Sequence, residues 1–289
     1  MMLPEACVAT ILSFTTPADT ISSAAVSSVF RVAGDSDFVW EKFLPTDYCH
    51  VISRSTDPHR IFSSKKELYR CLCESILIDN GRKIFKIEKL SGKISYILSS
   101  RDLSITWSDQ RHYWSWSPRS DSRFSEGVQL IMTDWLEIIG KIQTGALSPN
   151  TNYGAYLIMK VTLRAYGLDL VPAETSIKVG NGEKKIKSTY LSCLDNKKQQ
   201  MERVFYGQRE QRMATHEVVR SHRREPEVRD DGWMEIELGE FETGSGEGDD
   251  DKEVVMSLTE VKGYQLKGGI AIDGIEVRPK PLKVRAGTN

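Results

Sequence analysis

The stretch that decides the fold of most of this chain is residues 231–241, DGWMEIELGEF. Its apolar residues, from Met234 to Leu238, alternate with glutamates. A period of two places the apolar side chains on one face of a strand and the acidic side chains on the other. The stretch therefore predicts a β-strand with one buried face.

The same alternation recurs on both sides of this stretch. Four further segments carry it or end in apolar runs typical of strands: Ile94–Leu98, Ala155–Leu163, Val254–Leu258 and Ile270–Val277. Many short strands separated by polar turns indicate an antiparallel sandwich. We therefore predict an antiparallel β-sandwich over residues 82–280.

Two polar segments interrupt the predicted strands. Residues 180–231 are rich in lysine and arginine, and we expect them to form a mobile charged insertion with a short helix around 197–206. Residues 244–251 form an acidic, glycine-rich loop.

The first eighty residues have a different period. Apolar residues between Leu3 and Phe14 recur at helical spacing, and Pro17 interrupts that helix and suits the first turn of the next. Ser64 and Glu67 form a capping-box pattern that opens another helix. We therefore predict an α+β multidomain chain, with a small all-helical module at 1–46, a helical linker at 47–81, and then the sandwich.

Composition excludes several classes of protein. The 289 residues carry 39 Lys+Arg and 40 Asp+Glu, a net charge of −1, which gives no global electrostatic attraction to nucleic acid or membrane. No apolar run approaches the roughly 20 residues that span a bilayer, and the first residues do not resemble a signal peptide. The five cysteines are scattered, so we expect reduced thiols without a disulfide framework.

No pattern for bond chemistry is recognisable. The five histidines show neither Ser-His-Asp nor metal-ligand spacing, and the glycines of residues 244–248 lie among acids that would repel phosphate. We therefore expect no catalytic residue, no metal and no cofactor.

The helical module carries a set of residues that resembles the F-box. The set is Leu3-Pro4-Glu5, Ile11-Leu12, Pro17, Ile21, Val26-Ser27, Phe30 and Trp40. The resemblance implies binding to the Skp-type adaptor of a cullin-based ubiquitin ligase, and cullin through that adaptor. The candidate adaptor-binding residues are Leu3, Pro4, Ile11, Leu12, Val26 and Phe30. Residues 27–30 depart from the Cys-Lys-x-Trp that many F-boxes have there. The alternative is a helical cap on the β domain.

Five separated motifs of the β domain resemble the phloem protein 2 family, to which the lectin Nictaba belongs. They are residues 99–107, 113–116, 135–142, 231–241 and 272–279. The resemblance, with the F-box, implies a plant F-box protein of that family and a jelly-roll-like sandwich. In the lectin members it implies binding of N-acetylglucosamine-containing glycans.

By this resemblance the carbohydrate-binding residues are Trp107, Trp114, Glu253 and Glu260. An indole face can cover the C–H patch of a sugar, and carboxylates can accept hydrogen bonds from its hydroxyls. Trp107 and Trp114 flank a polar stretch that reads as a loop, so both rings could lie near one surface. We expect Trp135 and Trp233, and on balance Trp116, to be core residues.

The acid pair has a geometric difficulty. Glu253 and Glu260 are seven residues apart. On a straight strand they would point to opposite faces, about 23 Å apart. Two carboxylates that cleave a glycoside stand roughly 5–10 Å apart, so the pair also argues against a glycosidase.

Together these residues predict a non-enzymatic substrate-recognition subunit of a ubiquitin ligase. Its helices would bind the Skp-type adaptor, and its sandwich would capture a glycosylated or other protein target. Two alternatives remain open: a sandwich that binds protein surface and has lost sugar binding, and an intracellular lectin with a vestigial F-box. We expect the nucleus and cytoplasm as its location, without nucleic-acid or membrane partners.

Overall fold

The computed structural model describes residues 3–169, 171–192, 224–245, 251–262 and 265–281. Helices occupy the N-terminal part and strands the rest. The helices are α1 (Glu5–Leu12), α2 (Pro17–Ser23), α3 (Ser28–Gly34), α4 (Asp37–Phe43), α5 (Tyr48–Ser53) and α6 (Lys65–Cys73).

Capping side chains set where several helices begin. Thr16 accepts a hydrogen bond from the Asp19 amide at 3.1 Å, and the Asp19 carboxylate accepts one from the Thr16 amide, a complete capping box. Ser64 accepts from the Glu67 amide at 3.1 Å, as the sequence predicts. The Glu67 carboxylate turns instead to Ser63, whose amide donates to it at 2.8 Å.

Fourteen strands are present in the described residues. They are β1 (Ile76–Ile78), β2 (Lys83–Ile87), β3 (Ile94–Ser99), β4 (Ser104–Ile105), β5 (Trp114–Pro118), β6 (Glu126–Leu130), β7 (Leu136–Gln143), β8 (Asn152–Tyr166), β9 (Ala173–Val179), β10 (Lys185–Thr189), β11 (Glu227–Val228), β12 (Met234–Glu242), β13 (Glu253–Glu260) and β14 (Gly268–Pro279).

The strands form two antiparallel sheets. The larger has the order β1-β2-β3-β14-β8-β12-β11, with β6 also paired to β14 and β5 to β6. The smaller has the order β10-β9-β13-β7-β4. Leu157 and Ile275 of the larger sheet share one hydrophobic core with Ile138 and Met256 of the smaller. The predicted antiparallel β-sandwich is therefore confirmed as the architecture of this part.

A glycine sets the close approach of the two sheets. A Cβ atom on Gly140 of β7 would lie 2.7 Å from Cδ1 of Ile275 and 3.1 Å from Cδ2 of Leu103. Neither contact is tolerable without movement of the neighbour. The register of β7 against the opposite sheet therefore depends on a residue without a side chain at this position.

The helices join the sandwich in two different ways. Trp40 of α4 and Tyr69 of α6 belong to the common core, with ring centroids 5.1 Å apart. By contrast, α1 and α3 pack with the start of α4 around a separate small core, formed by Val8, Ala9, Leu12, Ala33 and Val39. The name helical unit is used below for α1–α3.

Arg54 and Asp79 link the helices to the sheet by an ion pair. The Arg54 guanidinium donates to the Asp79 carboxylate at 2.7 and 2.6 Å. Arg54 follows α5, and Asp79 begins the turn between β1 and β2, where it has a φ of 54°. The hydrogen bonds and positive charge of Arg54 lower the pKa of Asp79 below its ordinary value.

Strands occur inside two ranges where the sequence predicts none. Strand β1 lies inside the range predicted as a helical linker. Strands β10 and β11 lie inside 180–231, the range that the sequence predicts as a charged insertion. Lys185–Thr189 pairs with β9 despite its charge, because an edge strand keeps one side in water and tolerates lysine there. The helix predicted at 197–206 lies outside the described residues.

Candidate functional site

Trp107 stands on a loop at one end of the sandwich. The loop follows the end of β4, which pairs with β7. The last hydrogen bond before the loop is the one that the Thr106 amide donates to the Glu137 carbonyl at 3.1 Å. Trp107 has a φ of 57°, rare for an aromatic residue. Its ring stacks on Tyr113 with centroids 4.8 Å apart, and the side chain is 36% exposed. A bulky residue in a left-handed conformation with an open ring is typical of a binding loop.

Trp114 and Trp116 support this loop from below. The Trp114 indole donates to the Thr106 carbonyl at 3.0 Å, and the Trp116 indole donates to the Ser108 carbonyl at 2.7 Å. Trp114 is only 2% exposed, because it begins β5 on the face that packs into the core. A ring that stacks on a ligand must be exposed. Of the two tryptophans predicted to bind carbohydrate, only Trp107 is exposed.

Trp135 is the second exposed indole at this end, and its prediction as a core residue is wrong. It is 45% exposed. The buried residues of β7 are the even-numbered ones from Leu136 to Ile142, so an odd-numbered residue just before the strand points outwards. The alternation of β7 was visible in the sequence and would have placed Trp135 correctly. A general expectation that tryptophan is buried misled the prediction.

Thr133 holds Trp135 in place. Its hydroxyl accepts a hydrogen bond from the Trp135 amide at 3.0 Å and lies 2.8 Å from the Trp135 carbonyl, to which it donates. The Thr133 backbone is paired in turn with Lys267 in an isolated antiparallel bridge, with N–O distances of 2.9 and 2.8 Å. The segment before β7 is therefore fixed to the segment before β14.

Glu260 lies beneath this surface. It is 4% exposed, and its carboxylate forms an ion pair with the equally buried ammonium of Lys267. Lys267 also donates to the Asp134 carbonyl at 2.7 Å. The predicted carbohydrate-binding carboxylate is therefore engaged inside the protein, next to the residue that precedes Trp135.

Glu253 lies at the opposite end of β13. The pairing of β13 with β7 runs without a bulge from Glu253–Gln143 to Glu260–Leu136, so about 23 Å separates the two acids along the strand. Glu253 points outwards and pairs with Lys141 at 3.0 Å, whereas Glu260 points inwards. The structure does not bring the two acids together, as the odd spacing predicts.

Further exposed apolar side chains surround the two indoles. The amide of Ile131 donates to the Tyr113 carbonyl at 2.8 Å, and the Tyr166 hydroxyl donates to the Ile131 carbonyl at 3.2 Å. We call this surface the aromatic end; its residues are Trp107, Tyr113, Ile131, Met132, Trp135, Tyr166 and Leu266. All but Tyr113, which is half-buried, are exposed. Exposed apolar patches of this kind mark sites of interaction.

Two glycines allow the backbone segments under this surface to approach closely. A Cβ on Gly268 would lie 2.2 Å from the Ile131 carbonyl oxygen. A Cβ on Gly167, which has a φ of 70°, would lie 2.3 Å from the Leu266 carbonyl oxygen. The segments that carry Ile131, Tyr166 and Leu266 therefore meet only because both positions lack a side chain.

A polar rim lies beside the stacked rings. The loop between Trp107 and Trp114 exposes Asp109, Arg111 and His112, and the His112 ring contacts Tyr113 at a centroid distance of 4.1 Å. Open aromatic faces beside charged and hydrogen-bonding groups suit a ligand that has both C–H patches and hydroxyls. This is the chemistry of a sugar.

A second apolar surface lies on the helical unit. Leu3, Pro4, Ile11 and Val26 are exposed, as a docking face requires, with Ile11 at 51%. Leu12 is 2% exposed and belongs to the small core, so it does not lie on this face. An i, i+1 pair on a helix points in different directions, so the chain can expose one of them and bury the other.

Other apolar residues of the helical unit are partly or largely exposed as well. Phe30 is half-buried against the small core. Phe14 is 86% exposed and Ile21 is also exposed, and neither is among the adaptor-binding residues predicted from the sequence. The i, i+3 spacing of Ile11 and Phe14 was the available signal.

Of the other two tryptophans predicted as core residues, Trp233 is confirmed and Trp116 is half-buried against the core. Trp233 is buried, and its indole donates to the Asp121 carbonyl at 2.7 Å. Beside it on the outer face of the larger sheet, Glu235 receives hydrogen bonds from Arg278 and Arg229 at 2.6 and 2.5 Å. Burial alone would raise the pKa of Glu235, but the two guanidinium groups outweigh it and lower the pKa. The charges of Glu235 and of its two arginine partners are therefore paired with one another, and these ion pairs stabilise the sheet.

Other kinds of site are missing among the described residues. No group of three histidine, cysteine or carboxylate side chains there could hold a metal ion. No helix in the same ranges is both long and apolar enough to cross a bilayer.

Comparisons with known proteins agree on one family. The phloem protein 2 family model matches residues 93–279. The Arabidopsis thaliana F-box protein PP2-B13 is 73% identical over 286 residues, which cover 98% of this chain and 100% of that protein. F-box protein VBF, also from Arabidopsis thaliana, is 72% identical over 283 residues, which cover 97% and 99%.

A solved structure, that of the Podospora anserina GH26-CBM35 β-(1,4)-mannanase, matches with a TM-score of 0.34 and 9% identity, covering 68% of this chain and 30% of that one. A likeness this weak carries no argument. The two high-identity relatives and the family match, taken together, settle the classification: the chain belongs to the phloem protein 2 family and is a plant F-box protein of its PP2-B group.

Proposed function

We propose that this protein is the substrate-recognition subunit of a Skp–cullin–F-box ubiquitin ligase. The observation that carries the proposal is the exposed apolar face of the helical unit. The small core between that unit and α4 holds five buried residues, whereas Leu3, Ile11, Phe14, Ile21 and Val26 remain in water. A helical partner that covers such a face gains the free energy of their burial. A specific interface of this kind buries about 800 Å² per partner.

The aromatic end is the proposed target-binding surface. Trp107 would stack on a sugar ring of an N-acetylglucosamine-containing glycan, with Tyr113 behind it and Trp114 supporting the loop. The stacking of Trp107 on Tyr113 at 4.8 Å fixes the ring before a ligand arrives, so that little conformational entropy is lost on binding. We propose the nucleus and cytoplasm as the place of action.

Co-purification with a Skp-type adaptor tests the ligase proposal. The variant for the test is Ile11→Asp, because Ile11 is exposed and its change leaves the small core intact. Leu163→Asp is the matched control, since Leu163 is fully exposed on the sandwich. We expect wild type and Leu163→Asp to retain the adaptor and Ile11→Asp to lose it. Wild type that never co-purifies would exclude the proposal.

Isothermal titration with a trimer of N-acetylglucosamine tests the glycan proposal. We expect Trp107→Ala in the full chain to weaken binding at least fivefold, since stacking on an aromatic side chain contributes on the order of 1–3 kcal/mol. Leu90→Ala, an exposed change elsewhere, is the control. A folded wild type that binds no N-acetylglucosamine oligomer would refute glycan recognition.

One observation favours a second candidate, recognition of protein surface. Ile131, Met132 and Leu266 are exposed aliphatic residues beside the indoles, and methionine in particular adapts to varied protein surfaces. Capture from plant extract before and after enzymatic deglycosylation separates the two candidates. Loss of Trp107-dependent capture after deglycosylation supports the glycan, and unchanged capture supports the protein surface.

A further inference from the structure

We propose that Trp135 is the second stacking residue of the aromatic end and that Glu260 is a positioning residue, which acts on Trp135 through Lys267. This inference rests on the proposed glycan recognition by the same surface. In this arrangement neither Trp114 nor Glu260 touches the sugar. Trp135 stacks on it, and Glu260 supports Trp135 from inside the protein.

Trp135 has the exposure and the place that stacking needs. It is 45% exposed, more than Trp107. The Thr106 amide and hydroxyl donate to the backbone and side chain of Glu137, both at 3.1 Å, so the ends of β4 and β7 are tied together. Trp107 comes directly after Thr106, and Trp135 comes two residues before Glu137. Both tryptophans therefore lie at the same end of the smaller sheet, next to the adjacent ends of β4 and β7.

Glu260 lacks the access that a direct sugar contact needs. Its side chain is 3% exposed, and that of its partner Lys267 is 2% exposed. A carboxylate that accepts hydrogen bonds from a sugar must present at least one oxygen to the surface. A buried carboxylate paired with a buried ammonium meets a structural demand instead, because each charge makes the burial of the other tolerable.

Lys267 connects the buried Glu260 carboxylate to the backbone segment that carries Trp135. It has three N–H donors, directed at the Glu260 carboxylate, the Asp134 carbonyl at 2.7 Å and, more distantly, the Glu260 carbonyl at 3.5 Å. The backbone of the same lysine pairs with Thr133, whose hydroxyl bonds both the amide and the carbonyl of Trp135. Lys267 therefore holds both Asp134 and Thr133, the two residues that precede Trp135.

A double-mutant cycle on the full chain tests the positioning role. The variants are Glu260→Gln, Lys267→Met and the two combined, with Glu41→Gln as the control for loss of a remote, exposed ion pair. The probe is the N-acetylglucosamine trimer, titrated below the melting temperature of each variant. We expect each single change to weaken binding about tenfold and the combined change to weaken it no further, because both remove one support.

The direct-contact reading predicts a different pattern. If Glu260 touched the sugar, Lys267→Met would bind nearly as wild type does, and the combined variant would lose as much as Glu260→Gln. That result would overturn the positioning role. A purely structural role would lower the melting temperature but leave the affinity of the folded fraction unchanged, which would overturn it as well.

Trp135→Ala tests the stacking role. We expect it to weaken trimer binding at least as much as Trp107→Ala does. Its melting temperature should stay within a few degrees of the wild-type value. Affinity equal to wild type would exclude Trp135 from the site.

Hydrogen exchange separates failure of this inference from failure of the glycan proposal. In residues 131–137, we expect faster amide exchange in Glu260→Gln and in Lys267→Met, with exchange in the helical unit unchanged. If the wild type binds no trimer, the glycan proposal and the stacking role of Trp135 both fail, yet exchange still decides whether Glu260 positions the segment. Unchanged exchange at 131–137 in both single variants would overturn that role.

Discussion

The helical unit and the aromatic end both leave apolar side chains in water, but they do so for different reasons. The helical unit consists of three short helices whose own core contains only small and medium-sized residues such as Val8, Ala9 and Leu12. The aromatic end stands on two sheets with a large common core, and hydrogen bonds and a buried ion pair hold its exposed rings.

The difference shows two ways to build a binding surface. A unit of this size cannot bury all its apolar residues, so an open face follows from its smallness. The end of a sandwich has ample core to cover its apolar residues, so an open indole there depends on specific local contacts. The two surfaces should therefore respond differently to mutation, and the following changes test this, from the largest expected effect to the smallest.

Glu260→Gln should destabilise the sandwich most. It leaves the Lys267 ammonium buried without a charged partner, which costs about 3–5 kcal/mol of unfolding free energy. Glu253→Gln is the matched change on the same strand, where an exposed pair with Lys141 contributes at most about 1 kcal/mol. Urea denaturation of both variants measures the two effects. Equal losses would contradict the distinction between the two ends of β13.

Leu12→Ala should destabilise the helical unit by about 2–4 kcal/mol, because it opens a cavity in a small core. Ile11→Ala, one residue away but exposed, should change stability by no more than about 0.5 kcal/mol. Amide exchange in α1–α3 after each change reports the local free energy. Acceleration across the whole sandwich with Leu12→Ala would show that the helical unit is not a separate cooperative region.

Trp114→Phe should cost about 1 kcal/mol, since it removes the hydrogen bond from the indole to the Thr106 carbonyl while it keeps most of the buried ring. Trp107→Phe should be close to neutral for stability, because this indole is partly exposed. Thermal denaturation measures both. A larger loss with Trp107→Phe would reverse the roles assigned to the two residues.

Asp79→Asn tests the joint between helices and sheet, with an effect of about 0.5–1 kcal/mol at neutral pH. Arg54 lowers the pKa of folded Asp79 below its unfolded value near 4. The contribution is therefore complete above that unfolded value and is lost as the pH falls through the folded pKa.

Denaturation at several pH values checks the sign. The stability gap between wild type and Asp79→Asn should be constant from pH 7 to pH 5 and should shrink below about pH 4. Asparagine tolerates the left-handed conformation of this position, so backbone strain does not confound the comparison. A gap that widens on acidification would contradict the assigned pKa direction.

Periodicity predicted the strands well because it reports a single local relation, which side of the chain is apolar. The alternation in 234–238 and the helical spacing before Phe14 both correspond to elements of the structure. Segment 180–231 was harder to predict, because the charged edge strand β10 forms through pairing with β9 and not through its own pattern. Short charged strands depend on their neighbours, which local sequence does not contain.

The sequence by itself determined a helical module followed by an antiparallel sandwich, and it predicted that Glu253 and Glu260 lie far apart on opposite faces if their strand is straight. The unbroken pairing of β13 with β7 in the structure meets that condition. The alternation of β7 already indicated that Trp135 points outwards, but only the tertiary structure decided which tryptophan rings are left uncovered. Trp114 is buried and Trp135 exposed because burial depends on which sheet lies across from each face and on contacts such as the Thr133–Lys267 bridge between distant segments. The aromatic end, with its rings in water and its charges inside, is a property of that assembly.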